Sequence, residues 1–246
     1  MNQDGGENEL CSLSPYIISN IPPIIYYIPN FISEDDELYL LKKIYEAPKP
    51  KWTELLNRRL QNWGGIPHEK GMIPDTIPQW LQIYCAMVEK LGIFKNCKPN
   101  HILINEYLPG QGIMPHTDGP LYYPTVANIT LKSHAVLEWY RPIGGENTSD
   151  SSLNTKVPET SLEARNFARI LMERRSLLIV REDMYSKYLH GICEIKTDII
   201  DDKVVNLSMC EGRQIGDKLN RDARVSLTIR NVPKVMKNNF LFGRRR

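Results

Sequence analysis

The segment 115–119 places a histidine, His116, and a carboxylate, Asp118, two positions apart between a proline and a glycine. In extended backbone this spacing puts both side chains on one face, with about 6 to 7 Å between their Cα atoms. Two side chains placed in this way can bind one cation. In a helix the same spacing would point them to nearly opposite sides. The motif therefore predicts a pair of metal ligands in an extended segment.

A second histidine can complete this pair. His190 follows the strand-like run 176–181 and is far enough along the chain to reach the same end of a barrel from another strand. Two histidines and one carboxylate on one triangular face are the arrangement of non-haem Fe(II) oxygenases, which leaves positions open for a co-substrate and oxygen. The same ligand types also suit zinc, so a zinc hydrolase is an alternative.

The segment 224–230 alternates between polar and apolar side chains. Its even positions are Arg, Ser, Thr and Arg, and its odd positions are Val, Leu and Ile. A period of two places the polar set on one face of a strand. That face could be the solvated side of an edge strand. It could instead offer Arg224 and Arg230 to an anionic dicarboxylate beside the metal, which a zinc hydrolase would not need.

Short strands and turns surround these residues. From residue 101 onward, strand-like runs alternate with Pro/Gly turns or polar stretches, as is typical of a barrel or jelly roll. We expect surface insertions near 143–157 and 198–222, because both segments are polar. The predicted strands are 101–107, 126–131, 134–140, 176–181 and 224–232.

The first hundred residues predict mixed α and β structure. The run 24–28 is β-branched and aromatic and predicts a strand. Ser33 followed by three acidic residues predicts the N-cap of a helix that ends before Pro48. The segment 49–78 is rich in Gly and Pro and indicates hairpins or loops, and helical spacing resumes at 80–91.

Four motifs in this order resemble the AlkB family of Fe(II)- and 2-oxoglutarate-dependent dioxygenases, in particular its AlkB homologue 6 branch. They are Asn105-Glu106-Tyr107, the His116/Asp118 pair, His190 and the Arg-x-Ser-x-Thr-x-Arg segment. The resemblance implies an α+β, mainly β fold, with a double-stranded β-helix (jelly-roll) core and an N-terminal α/β substrate lid. The predicted regions are a flexible arm at 1–20, the lid at 21–97, the dioxygenase domain at 98–235 and a basic tail at 236–246.

The resemblance also implies an oxidoreductase that uses Fe(II), 2-oxoglutarate and O₂, with no catalytic residue beyond the metal centre. The implied metal ligands are His116, Asp118 and His190. The implied co-substrate residues are Asn105, Tyr107 and Arg224 at the distal carboxylate, Arg230 near the metal-side carboxylate or Asp118, and Ser226. Ser226 departs from the family pattern, which commonly has Asn there, but a hydroxyl can still donate a hydrogen bond.

The family couples conversion of 2-oxoglutarate to succinate with hydroxylation of a C–H bond, and a hydroxylated N-methyl group leaves as formaldehyde. We expect an alkylated base of DNA or RNA as substrate, presented single-stranded or flipped out of a duplex. Trp63, Tyr122 and Tyr123 could stack on such a base, with core packing as the alternative. Two other functions stay open: an oxygenase acting on protein or lipid, and a nucleic-acid-binding module with little turnover.

Composition sets broader limits. The 246 residues are 41% hydrophobic with a net charge of +2, which allows a sizeable core and does not indicate a protein that coats nucleic acid. Five scattered cysteines indicate free thiols, and neither a signal peptide nor a membrane-spanning run is recognisable. We therefore predict a monomer of the cytoplasm and nucleus without a membrane partner, which could act on single-stranded or damaged DNA or RNA.

Overall fold

The computed structural model describes residues 13–21, 24–144 and 160–236. Most of the predicted N-terminal arm, most of the first predicted insertion and nearly all of the basic tail lie outside the described residues. The helices are α1 Glu34–Tyr45, α2 Gln79–Glu89, α3 Leu162–Arg165 and α4 Glu182–Ser186. The strands are β1 Ile17–Ile18, β2 Ile25–Ile28, β3 Thr53–Leu55, β4 Arg58–Trp63, β5 Gly65–Ile66, β6 Ile73–Pro74, β7 His101–Tyr107, β8 Ile113–His116, β9 Thr125–Leu131, β10 Ala135–Tyr140, β11 Asn166–Met172, β12 Leu177–Arg181, β13 Leu189–Ile192, β14 Thr197–Ile199, β15 Lys218–Asn220 and β16 Arg224–Arg230.

Two antiparallel sheets form the core. The large sheet has the strand order β1-β2-β12-β9-β16-β7-β4-β3, and the small sheet has the order β11-β10-β13-β8. Non-consecutive neighbours in both sheets show that the chain crosses repeatedly between them, as in a jelly roll. The predicted mainly β, jelly-roll fold is confirmed.

Strand β16 lies inside the large sheet, between β9 and β7. All seven of its residues are buried, so the interpretation as an edge strand with a solvated face is wrong. Its odd positions Val225, Leu227 and Ile229 pack into the apolar core beneath the helices. Its even positions line a cavity between the two sheets. The alternation therefore separates core from cavity, since both faces of a central strand are covered.

The two long helices cover the outer face of the large sheet. Leu40 and Ile44 of α1 and Leu81 and Val88 of α2 are fully buried in the same core as the odd positions of β16. Helix α1 begins after Ser33, whose Oγ accepts a hydrogen bond from the backbone N of Asp36 while the Asp36 carboxylate accepts from Ser33. This capping box confirms the predicted helix start.

The N-terminal region shares the large sheet with the rest of the chain. Strand β2 pairs with β12, and β4 pairs with β7. The hairpin of β3 and β4 therefore extends the sheet beside the strand that carries Asn105 and Tyr107. The predicted boundary near residue 97 therefore coincides with no boundary in the large sheet.

Several expectations from the sequence need correction. Strands β8, β11 and β13 were not among the predicted strands. The segment 198–222 is not a surface insertion throughout, because Ile200, Val204 and Cys210 are buried against the small sheet. Asn206 is fully buried there and pairs its amide with the backbone N and O of Leu171, both at 2.9 Å. The buried residues of this segment are few and irregularly spaced, so the sequence shows no periodic pattern that would predict a core element. Its buried amide is tolerated because it is fully hydrogen-bonded.

The four described cysteines are free thiols. Across the same described ranges, no helix combines the length and apolar character required to cross a bilayer.

Candidate metal centre and co-substrate cavity

Two neighbouring strands of the small sheet bring the three predicted metal ligands together. His116 ends β8 and faces His190 of β13 in the strand register. Asp118 follows His116 in non-helical backbone. Its Oδ1 lies 4.0 Å from Nε2 of His116 and 3.8 Å from Nε2 of His190. One ligand atom from each residue lies within 4.8 Å of the others. The donor set of two imidazoles and one carboxylate fits Fe(II).

Neighbouring groups fix the orientation of these ligands. Nδ1 of His116 donates to the backbone O of Met114 at 2.8 Å, which leaves Nε2 of that imidazole free for a metal. Arg230 donates from Nη2 to Oδ1 of Asp118 at 2.9 Å. The fully buried ring of Trp139 packs against His190, with 5.2 Å between the ring centroids. Each ligand is therefore held by a second residue.

Burial also controls the charge of His190. It lowers the pKa of this histidine to about 4, and Asp118 only partly opposes the effect. The imidazole is therefore neutral at physiological pH. A neutral imidazole has a free lone pair, which a metal ligand requires.

A cavity of about 250 Å³ lies between the two sheets beside these ligands. The large sheet contributes its polar face and the small sheet contributes Leu137 and Trp139. All of the predicted co-substrate residues line this cavity together with the three predicted metal ligands. They are Asn105, Tyr107, Arg224, Ser226 and Arg230.

Arg224 is the most deeply buried cation of the cavity. Its Nη2 donates to Oγ1 of Thr130 at 2.9 Å and to Oδ1 of Asn128 at 3.1 Å. Its buried Nε lacks a partner among the described residues. Burial lowers the pKa of Arg224 to about 10, so it is still a cation at neutral pH. A carboxylate would satisfy both its charge and its free N–H group, so the cavity fits 2-oxoglutarate.

The three predicted substrate aromatics lie outside the lining of this cavity. Tyr122 lies under Arg230, with 4.5 Å between the guanidinium carbon and the ring centre. Tyr123 packs against Phe94 in the core beneath the helices. Trp63 packs edge-on against Trp80 at 5.7 Å, and its Nε1 donates to Gln61. Each of the three residues is half-buried and contacts another side chain of the fold, and its stacking on a base stays a prediction.

A groove adjoins the cavity at His116. The turn from β3 to β4 forms one side and the segment Gly112–His116 forms the other. Two apolar side chains are strongly exposed there, Leu56 at 93% and Met114 at 74%. Arg58 lines both the groove and the cavity. Sequence reasoning missed Leu56, in the turn, and Arg58, directly after it, because this segment has no recognisable motif.

A family model described as the 2OG-Fe(II) oxygenase superfamily matches residues 48–230. That span includes the predicted metal ligands and the whole lining of the cavity. The chain is therefore a 2-oxoglutarate- and Fe(II)-dependent oxygenase, an oxidoreductase that uses O₂.

Individual relatives narrow this class. "Probable RNA/DNA demethylase ALKBH6" of Danio rerio is 49% identical over 95% of this chain and 96% of that protein. "Uncharacterized protein L905" of Acanthamoeba polyphaga mimivirus is 31% identical over 89% of this chain and 90% of its own. The chain belongs to the AlkB family. The solved structure of OsALKBH1 shares the fold, with a TM-score of 0.55 and 14% identity over 86% of this chain and 99% of that one.

Proposed function

We propose that this protein is an oxidative demethylase of an alkylated base in DNA or RNA, with succinate and formaldehyde as products. One observation carries the proposal: the three predicted metal ligands line a cavity that also contains Arg224 and Arg230, and His116 in addition lines an adjoining groove with exposed apolar side chains. Such a site has separate places for a dicarboxylate and for a larger, flat substrate. The name of the Danio rerio relative, a probable RNA/DNA demethylase, supports the same substrate class.

On the co-substrate side, we assign Arg224, Asn105 and Tyr107 to the distal carboxylate of 2-oxoglutarate. Arg224 supplies the charge and a free N–H group, and a buried guanidinium pairs strongly with a carboxylate. The apolar wall formed by Leu137 and Trp139 excludes water from the far side of the cavity.

At the metal, we assign His116, Asp118 and His190 as the ligands. Iron bound there would supply the oxidising chemistry that couples O₂ and 2-oxoglutarate to hydroxylation of a C–H bond. The chain itself holds the ligands in place: Arg230 fixes the Asp118 carboxylate, and the Met114 carbonyl fixes the His116 ring. It needs no further acid or base once an N-methyl group is hydroxylated, because the product separates into formaldehyde and the free amine.

On the substrate side, the groove places Leu56 and Met114 against the base that carries the methyl group. Leu56 and Met114 are the two most exposed large apolar side chains among the described residues, and together they would give the base an apolar contact. A base inside a duplex cannot reach His116, so the substrate must be single-stranded or flipped out.

The direct test measures succinate and formaldehyde from purified protein with Fe(II), 2-oxoglutarate and methylated or unmethylated single-stranded DNA and RNA. We expect succinate formation that a methylated oligonucleotide stimulates, with formaldehyde in equal amount. His116→Ala should abolish both products. His68→Ala removes an exposed histidine that lines neither the cavity nor the groove and should leave both products unchanged.

Three other results would redirect the proposal. Succinate formation that no oligonucleotide stimulates would favour a protein or lipid substrate. Oligonucleotide binding without succinate, in protein loaded with iron, would favour a binding module. Equal succinate formation by His116→Ala would remove the metal assignment. A monomer located in cytoplasm and nucleus is part of the proposal and is tested by light scattering and by microscopy of the tagged protein.

A further inference from the structure

Arg58 lies where the cavity assigned to 2-oxoglutarate meets the groove assigned to the substrate. It is the first residue of β4 and follows the turn that carries Leu56 and Asn57. Its side chain lines the cavity on one side and the groove on the other. The residue therefore belongs to the hairpin at the groove and touches the space assigned to 2-oxoglutarate.

The side chain of Arg58 has a defined contact in the cavity. Its Nε donates a hydrogen bond to Oδ1 of Asn105 at 3.2 Å. A guanidinium can only donate, so the amide oxygen of Asn105 has to face Arg58. The amide NH₂ group is then the end left for a ligand. A carboxylate can only accept, so this is the orientation of Asn105 that 2-oxoglutarate requires.

Arg58 also influences a second residue at the same place. Burial raises the pKa of Tyr107, and the positive charge of Arg58 is the largest effect that opposes the rise. Arg58 and Tyr107 also line the same cavity and lie on the paired strands β4 and β7. Two of the three residues assigned to the distal carboxylate thus have Arg58 as a neighbour.

We propose that Arg58 is a positioning residue that fixes the Asn105 amide for the distal carboxylate of 2-oxoglutarate and thereby couples co-substrate binding to the β3–β4 hairpin. This inference rests on the proposed co-substrate site. The hairpin is also held at its tip, where Nδ2 of Asn57 donates to Oε1 of Glu194. A carboxylate bound to Asn105 would hold the amide, the amide would hold Arg58, and the wall of the groove would become ordered before a substrate arrives.

The first test is a double-mutant cycle on 2-oxoglutarate affinity. Calorimetry is performed with Mn(II) in place of iron, so that binding is measured without turnover. We expect Arg58→Gln to weaken 2-oxoglutarate binding about tenfold, because the Asn105 amide is no longer held in the orientation that a carboxylate requires. Asn105→Ala should weaken it at least as much. The double variant should bind no more weakly than Asn105→Ala, because Arg58 acts through the amide.

Matched variants separate the possible failures. Lys49→Gln removes an exposed cation before the same hairpin and should bind 2-oxoglutarate like the natural protein. Arg224→Met should lose most of the affinity. If Arg224→Met binds normally, the co-substrate site is misassigned and the inference fails with it. If Arg224→Met loses binding and Arg58→Gln does not, only the role of Arg58 is overturned. The role of Arg58 is also overturned if the losses of affinity in Arg58→Gln and Asn105→Ala add up in the double variant.

A second readout is independent of affinity. Saturating 2-oxoglutarate with Mn(II) should slow amide hydrogen exchange in the hairpin, residues 53–63, in the natural protein. The same addition should leave hairpin exchange unchanged in Arg58→Gln at equal saturation. Equal protection in both proteins would overturn the coupling. Arg58→Lys, which keeps the charge and loses the planar N–H fork, replaces the glutamine variant if that variant unfolds.

Discussion

Arg230 donates a hydrogen bond to the same carboxylate oxygen of Asp118 that lies within 4.0 Å of both predicted histidine ligands. Both side chains are almost fully buried. The carboxylate is therefore oriented before a metal binds. Substitution of a residue that orients a metal ligand in this way typically weakens metal affinity by about 10- to 100-fold.

The first prediction follows from this pair. Arg230→Lys should weaken metal binding by about tenfold or more, in the range known for orienting residues. Lysine keeps the positive charge, so repulsion of the cation is unchanged and the loss reports orientation. Mn(II) titration by calorimetry measures the affinity. Arg213→Lys, at an exposed ion pair with Glu173, is the control. An unchanged affinity in Arg230→Lys would mean that Asp118 is held without the arginine.

The second prediction concerns Tyr122, which lies under the guanidinium of Arg230 at 4.5 Å. A cation over an aromatic ring is stabilised by about 0.5 to 2 kcal/mol, and phenylalanine keeps that interaction. Tyr122→Phe should therefore bind Mn(II) normally, whereas Tyr122→Leu should bind it several-fold more weakly. If both variants bind metal normally and both lose oligonucleotide-stimulated turnover, the original prediction of a substrate role for Tyr122 would be supported instead.

The third prediction concerns Gly191, next to His190. A Cβ atom at this position would lie 2.9 Å from the backbone O of Ile113 and 3.0 Å from the backbone N of Pro115. Backbone atoms cannot give way as a flexible side chain can, so Gly191→Ala should push β13 away from β8. His190 would then move away from His116. We expect metal affinity to fall while the circular dichroism of the sheets is kept; normal Mn(II) binding would contradict this.

Site residues were predictable from the sequence where reactive side chains recur at the two-residue spacing of a strand. His116, Asp118 and His190 have side chains that bind metals, and the spacing of His116 and Asp118 brings both to one side only in extended backbone. The even positions of β16 form a polar face, and polar side chains on a buried strand require hydrogen-bond partners. Residue types and spacing single these residues out, and the resemblance to the AlkB family supplies the roles predicted for them. The strands that carry the ligands could not, because β8 and β13 have only four residues each and contain proline, glycine and histidine.

Contacts between distant segments account for the other misses. Arg58 becomes part of the site only because β4 pairs with β7, and nothing in the turn before it indicates that pairing. The contact of Trp63 with Trp80 likewise depends on a distant segment, helix α2, and the substrate role of Trp63 stays a prediction. An aromatic residue in a loop-like segment gives the same sequence signal whether it packs against a helix or stacks on a base.

The fourth prediction is a pH dependence of stability. Burial, with a smaller effect from Arg230, lowers the pKa of His101 from 6.5 to about 3. His101 therefore binds a proton near pH 6.5 in the unfolded chain but stays neutral at that pH in the folded protein. The free energy of unfolding consequently falls as the pH drops from 7 towards 3. His101 should account for about 1 kcal/mol of the loss between pH 7 and pH 5.5.

Urea unfolding of metal-free protein at those two pH values measures this effect. His101→Gln should lose about 1 kcal/mol less than the natural protein over the same interval, because glutamine does not titrate. His68→Gln, at an exposed histidine, is the matched control and should behave like the natural protein. An equal loss in His101→Gln and the natural protein would show that His101 is protonated in the folded state as well.

The fifth prediction concerns the attachment of α1 to the core. Glu37 is fully buried and accepts hydrogen bonds from Nη2 of Arg174 and from the backbone N of Lys132, both at 2.6 Å. Burial alone would raise the pKa of Glu37, but these bonds bring it below the ordinary value. The carboxylate is thus charged and depends on its partners, because an unpaired buried charge is strongly destabilising.

Arg174→Met should therefore lower the free energy of unfolding by about 2 kcal/mol, which urea unfolding at pH 7 measures. Arg213→Met breaks an exposed pair with Glu173 and should cost less than about 1 kcal/mol. Adding Glu37→Met to Arg174→Met should recover part of the loss, since the uncompensated charge is removed and apolar contact replaces it. A double variant less stable than Arg174→Met alone would show that the backbone N of Lys132 and the guanidinium of Arg175, 3.9 Å from the carboxylate, are sufficient partners for Glu37.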